Sequence, residues 1–129
     1  MYAQLLKNDK QFDEASAVFQ AIGDHSQAGQ CLRKAHRFEE AVRELEALPS
    51  MSERDYYNRA FCLVMLGEYE RALADYNSIL GADPDNVHAL LNRGICLEKL
   101  CRTDESRRDF ERLLEIDPDN EEARRCLGQ

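Results

Sequence analysis

One pattern occurs twice in this chain, thirty-four residues apart. Tyr56, Asn58, Arg59, Ala60, Leu63, Ala72, Leu73, Tyr76, Ile79 and the run Asp83-Pro84-Asp85-Asn86 form the first copy. Leu90, Asn92, Arg93, Gly94, Leu97, Ser106, Arg107, Phe110, Leu113 and Asp117-Pro118-Asp119-Asn120 form the second. A period of this size predicts a repeat array in which each unit is two helices and a turn. Such a unit cannot bury its apolar face alone and must stack on its neighbours.

The rest of the chain fits partial copies of that unit. Residues 1–10 read as a helix already in progress, with Ala3 and Leu6 in the register of Ala60 and Leu63, and Lys10 at the turn. Phe12, Ala15, Phe19 and Ile22 then have the spacing of a second helix with one apolar stripe. Gly23 stops that helix and Asp24 caps the next. Residues 25–36 carry Ala28, Gly29, Cys31, Leu32 and Ala35, and Phe38, Ala41, Leu45 and Leu48 repeat the earlier stripe at an offset of twenty-six. That offset is eight residues short of the later period. It predicts a tight connection after Ile22 and a second helix there cut by about a turn.

Pro49 ends the next helix, because the residue before a proline disfavours the helical region. Ser50 or Ser52 can cap its successor, with Glu53 or Asp55 favourable in the first turn. Helices are predicted over 53–66, 69–81, 87–100 and 103–116, with turns at Gly67 and at Cys101-Arg102 and strong breaks at the two Asp-Pro-Asp-Asn runs. Residues 121–129 begin another helix. The expected organisation is a single array over 1–129: a partial repeat 1–22, a short repeat 24–48, repeats 53–86 and 87–120, and a partial or capping helix 121–129. Beginning and ending inside repeats is the pattern expected of a piece of a longer array, the alternative being that the last helix is a natural cap with Glu121, Glu122, Arg124 and Arg125 facing water.

Charge and cysteine usage exclude several function classes. The net charge is −8 and no segment is basic, which disfavours phosphate-driven binding of nucleic acid. The five cysteines are an odd number without framework or zinc-ligand spacing. Free thiols fit a reducing compartment, and no apolar run reaches the length of a membrane span or signal-peptide core. The expectation is a cytoplasmic protein without membrane contact. There is no glycine-rich phosphate loop, no paired-histidine metal motif and no nucleophile elbow. His25, His36 and His88 lie on three different units, and Cys31 and His36 are poorly spaced for proton transfer. No catalytic residue, metal ligand or cofactor is therefore expected.

The motifs resemble the tetratricopeptide repeat. That family's succession of bulky, small, large apolar, small, aromatic and proline positions is met by Tyr56, Ala60, Leu63, Ala72, Tyr76 and Pro84, then by Leu90, Gly94, Leu97, Ser106, Phe110 and Pro118. Small residues allow close helix approach, Gly67 allows a left-handed turn and Tyr69 fills the groove between paired helices. The second copy departs at the turn, where Cys101 replaces the glycine and Thr103 the aromatic. The resemblance covers essentially the whole chain. It implies an all-α fold, a right-handed superhelical solenoid of antiparallel helix pairs, and a non-catalytic module for protein–protein interaction.

In that family the first helix of each pair lines a concave face. Mapped onto this chain, that face carries Gln4, Lys7, Asn8, Gln27, Gln30, Arg33, Lys34, Arg54, Tyr57, Asn58, Phe61, His88, Leu91, Asn92, Ile95, Glu98 and Lys99. The candidate peptide-binding residues are Gln30, Lys34, Arg54, Tyr57, Asn58, Phe61, His88, Leu91, Asn92, Ile95 and Lys99. Tyr57, Phe61, Leu91 and Ile95 form an apolar strip, and Lys34 and Arg54 are placed to meet an acidic or carboxylate-bearing segment. The opposing expectation is that Phe61 and Ile95 pack between repeats and the cations pair with nearby acids. Arg107, Arg108, Arg112, Arg124 and Arg125 stand among acids at helical spacing and are expected to form intrahelical ion pairs.

Tyr57-Asn58-Arg59-Ala60 and Leu91-Asn92-Arg93-Gly94 are also similar to the co-chaperones that grip acidic tails of heat-shock chaperones. Of that clamp only Asn58 is retained. Ser26, Gln30, His88 and Asn92 replace its other members, so the charge-assisted bonds are mostly lost. Three roles follow. The first is a module or adaptor holding a peptide segment or tail in its groove. The alternative is a structural or scaffold segment of a larger assembly, self-associating through its chain ends. The third, less favoured, is a chaperone-tail binder.

Overall fold

The breaks at Asp24, Ser52, Asn86 and Asn120 become four helix starts. The computed structural model describes the backbone of residues 2–128 and the side chains of residues 10–128. In it each of these residues accepts a hydrogen bond from the backbone N–H three positions on: Asp24 from Gln27 at 3.1 Å, Ser52 from Asp55 at 3.3 Å, Asn86 from Ala89 at 3.0 Å and Asn120 from Ala123 at 2.9 Å. Each bond satisfies a donor that the first helical turn leaves open. Asp55 also accepts from the Ser52 N–H at 3.0 Å, which closes a capping box.

The described secondary structure is entirely helical: α1 (Tyr2–Ile22), α2 (His25–Lys34), α3 (Phe38–Glu46), α4 (Glu53–Met65), α5 (Tyr69–Ala82), α6 (Val87–Lys99), α7 (Thr103–Ile116) and α8 (Glu121–Cys126). Helices α3, α5 and α7 start without a side-chain cap. They emerge instead from tight turns whose central residue is left-handed: His36 at φ 62°, Gly67 at 76° and Cys101 at 61°. Around His36 and Cys101, N–H bonds from Arg37 to the Leu32 carbonyl at 2.9 Å and from Arg102 to the Leu97 carbonyl at 2.8 Å close the preceding helix. This is the Schellman pattern, which favours glycine. Histidine and cysteine accept it here because the helices on either side each bury an apolar face.

The chain divides into two compact units, Met1–Gly67 and Glu68–Gln129. In the first, α2 packs on α1, α3 and α4, and α3 on α4. Ala28, Leu32, Ala41, Val42, Leu45, Ala60, Cys62 and Leu63 are buried there. Gly29 sits directly under Leu45, so close that an added Cβ would lie 2.6 Å from Leu45 Cγ. In the second unit α6 packs on α5 and α7, and α7 on α8, burying Leu73, Tyr76, Ile79, Leu90, Leu97, Phe110, Leu113 and Ala123 among others. Gly94 repeats the close approach, its missing Cβ being 2.6 Å from Phe110 Cε1.

Two local expectations need correction. Lys10 does not turn: α1 runs unbroken from Tyr2 to Ile22. Neither glycine nor proline interrupts Asn8-Asp9-Lys10-Gln11, and a continuous helix keeps every backbone hydrogen bond that a left-handed lysine would sacrifice. The short offset of the second repeat is also not confined to the end of α1. That helix does stop early, at Gly23, whose φ is 79°. But α2 is shorter as well, 10 residues against 13 in α6, and α3 has 9 residues against 14 in α7.

Candidate functional site

The candidate residues fall on three helices. In the first unit, Gln30 and Lys34 lie on α2, and Arg54, Tyr57, Asn58 and Phe61 on α4, which packs against α2. Arg54 donates through Nη2 to Gln30 Oε1 and so joins the two helices. Asn58 is turned inward, with 7% exposure. Tyr57 is half-buried, and Phe61 and Met65, four residues apart on α4, remain 38% and 55% exposed. Ser26, one of the substituted clamp positions, donates to Asp55 Oδ1 at 2.5 Å. Burial would raise the Asp55 pKa. The bonds from Ser26, the Ser52 N–H and the Ser52 hydroxyl outweigh it and hold the carboxyl below its ordinary range.

Each cation of this face sits against a ring or an amide. The Lys34 ammonium lies 5.4 Å from the centre of the Phe12 ring. The Arg33 guanidinium lies 5.1 Å from the centre of the Phe61 ring. Phe61 in turn is 6.2 Å from Phe38, which stacks on His36 at 5.7 Å. Arg33 Nε is buried and has no hydrogen-bond partner among the described residues. None of Arg33, Lys34 and Arg54 forms an ion pair with a described carboxylate. Attraction to the rings holds Arg33 and Lys34 in place without neutralising them, as the Gln30 amide does Arg54.

In the second unit, α6 carries His88 and Lys99 exposed and Leu91, Asn92 and Ile95 half-buried. The other mapped positions divide in the same way. Gln27 is half-buried, Glu98 is exposed, and the side chains of Gln4, Lys7 and Asn8 lie outside the described residues.

A different groove of the second unit, of about 870 Å³, lies between α5 and α7 with α6 beneath. Arg93, Arg102, Arg108 and Arg112 line it together with Glu70, Glu105 and Asp109. Its arginines are largely neutralised. Arg93 forms a two-pronged pair with Asp109 at 2.7 and 2.8 Å and donates to Asn77 at 3.0 Å. Arg102 meets Glu105 at 2.7 Å, and Arg112 meets Asp85 at 2.6 Å and Glu115 at 2.9 Å. The Arg102–Glu105 and Arg112–Glu115 pairs, each three residues apart at the start of α7 or within it, are readable from spacing. The sixteen-residue reach of Arg93 to Asp109 and the contact of Arg33 with Phe61 are not, because each joins different helices.

The thiols lie in two settings. Burial pushes Cys62 up to about 11, against the pull of the nearby Arg33 charge, and pushes Cys96 up to about 11. Cys101 is exposed on its turn. No three metal-binding side chains cluster among the described residues, and no described helix is long and apolar enough to cross a membrane.

Comparison with known proteins agrees with this architecture. A tetratricopeptide-repeat family model matches residues 67–127. No curated protein sequence matches the chain significantly. Among solved structures, a tetratricopeptide repeat protein from Parabacteroides merdae ATCC 43184 is 24% identical with a TM-score of 0.72. The match covers 94% of this chain, which spans only 58% of that protein. MamA is 16% identical with a TM-score of 0.84, over 95% of this chain and 78% of its own. YrrB, described as a TPR protein with an unusual peptide-binding site, is 20% identical with a TM-score of 0.80, over 93% and 68%. At these identities the likeness carries the fold: the chain has the all-α, helix-pair architecture of tetratricopeptide-repeat proteins, and residues 67–127 match that family's model.

Proposed function

We propose that this chain is a protein-interaction module that holds a polypeptide segment against the first helices of its repeats. The observation that carries this reading is the α2–α4 face. It presents exposed Phe61 and Met65 beside three cations that no described carboxylate neutralises, in a chain of net charge −8. Apolar side chains fixed beside unpaired charges are what a short segment needs for both affinity and orientation. The α6 face of the second unit offers the same kinds of group in Leu91, Ile95, His88 and Lys99. YrrB, of similar fold, has a peptide-binding site, which supports the class of ligand.

The test is capture from native extract with immobilised protein, followed by mapping of the captured protein to peptides. A single linear segment whose binding is lost in Phe61→Ala and weakened in Lys34→Glu/Arg54→Glu supports the reading. Binding that ignores all three positions removes it.

A second reading, a segment that assembles with further copies or with a scaffold, is favoured by α1. Val18 and Ile22, four residues apart on that helix, are 60% and 69% exposed. An apolar pair so open to water suits burial against another chain. A mass in solution that rises with concentration, and falls back in Val18→Asp/Ile22→Asp, supports this reading. A constant monomer mass excludes it.

A further inference from the structure

We infer that Arg33 is the residue that reads the charge of the bound segment, and that it takes a side-chain carboxylate lying next to an apolar residue. This rests on the peptide-binding reading above and makes it specific. The three cations of the α2–α4 face are not equivalent. Arg54 already donates to Gln30. Lys34 lies over Phe12 on the α1 side of α2. Arg33 lies over Phe61, the ring that is itself open to solvent.

Arg33 also has an unmet need. Its Nε is buried without a hydrogen-bond acceptor, and no described carboxylate pairs with it. Only Nε is enclosed in this way, so a docking carboxylate would meet the Nη groups, whose charge no described carboxylate offsets. The planar guanidinium is already oriented by the ring, so little side-chain freedom remains to be lost when a carboxylate docks on it. The same ring, with Met65 one turn further along α4, gives an apolar residue of the segment a place to lie. A single guanidinium suits a side-chain carboxylate, which it can meet with two parallel bonds. A chain-terminal carboxylate clamp needs more donors. Here Asn58 is buried and Gln30 is engaged.

The experiment is selection on an array of nine-residue peptides, acetylated and amidated so that no terminal charge is present, with Leu, Phe, Glu, Gln and Lys varied at each position. The native protein should select an acidic residue next to an apolar one. Replacing Glu by Gln in a selected peptide should weaken binding by about tenfold. Arg33→Gln should lose the preference for acid and keep the preference for the apolar residue. Phe61→Ala should lose the apolar preference. Arg33→Lys, which keeps the charge without the fork, should fall between, and helical circular dichroism establishes that each variant is folded. A shift of the Arg33 Nη resonances on adding a selected peptide gives a readout of contact. Selection by the native protein without acidic residues, or an unchanged acidic preference in Arg33→Gln, overturns the role of Arg33 and leaves the binding face standing. An array that selects nothing overturns both.

Discussion

Gly29 lies under Leu45 in the first unit and Gly94 lies under Phe110 in the second, each pair sixteen residues apart. The backbone comes equally close in both, although one lid is a branched aliphatic and the other a ring. Close approach therefore belongs to the hairpin and not to the residue that fills it. The charged side chains differ more. Arg93, Arg102 and Arg112 of the second unit each meet a carboxylate, whereas Arg33, Lys34 and Arg54 of the first meet rings and an amide. The contrast lies between these two faces and not between whole units, since Arg37 of the first unit also pairs, with Asp13 and Glu40.

The largest test of this comparison truncates the two lids. Phe110→Ala should cost about 3–5 kcal/mol and Leu45→Ala about 2–5 kcal/mol, because both side chains are fully buried. Urea unfolding followed by circular dichroism measures both. A loss well under 1 kcal/mol at either site would break the equivalence of the hairpins. Next come the glycines. Gly29→Ala and Gly94→Ala should each cost about 1–3 kcal/mol through overpacking. Phe110→Leu introduced with Gly94→Ala should recover part of that loss, since the smaller lid can move aside. No recovery would mean that the backbone, not the ring, sets the limit.

Asp55 has no counterpart with the same bonds in the second unit, where Ala89 stands at the corresponding third position of α6. Asp55→Asn should cost about 1–2 kcal/mol at neutral pH. The sign of its pH dependence follows from a folded-state pKa below the unfolded one. The carboxylate's contribution is complete above the ordinary carboxylate range and is lost as pH falls through the folded value. The gap between native protein and variant should therefore close on acidification. A gap that stays constant to low pH would show that the carboxylate's charge is not what stabilises the start of α4.

The smallest effects concern the left-handed turns. Cys101→Gly should gain about 0.5–1 kcal/mol and Gly67→Ala should lose about as much, read from thermal midpoints. The same cysteine sharpens the comparison chemically. Cys101 is exposed and should be alkylated first, as mass spectrometry would show, while Cys62 and Cys96, buried and pushed up to about 11, stay protected until the protein unfolds. Because their folded pKa is raised, their contribution to stability is complete below the unfolded value and declines as pH rises towards about 11.

Much of this was legible in the residues. Gly23 does end α1, Gly67 does adopt a left-handed turn, Asp24 does cap α2, and Ser52 rather than Ser50 caps α4. These are local matters, decided within four or five residues. The turn expected at Lys10 was not local: it came from register with Gly67, and register by itself does not decide whether the backbone bends. Cys101 shows the reverse, a turn formed by a residue that disfavours it. The fate of the charged residues was the least legible. Spacing reveals an arginine three residues from a glutamate. It does not reveal that Arg33, on α2, lies over a ring on α4 while Arg93, on α6, reaches a carboxylate on α7.

The repeat, the helix starts and the small residues at the hairpin contacts were determined by sequence, because periodicity, capping and close approach depend on residue type at short spacing. The tertiary structure decided which cations were neutralised and which ring stayed open to water. Those outcomes depend on side chains brought together from different helices, and neither partner's residue type announces the other.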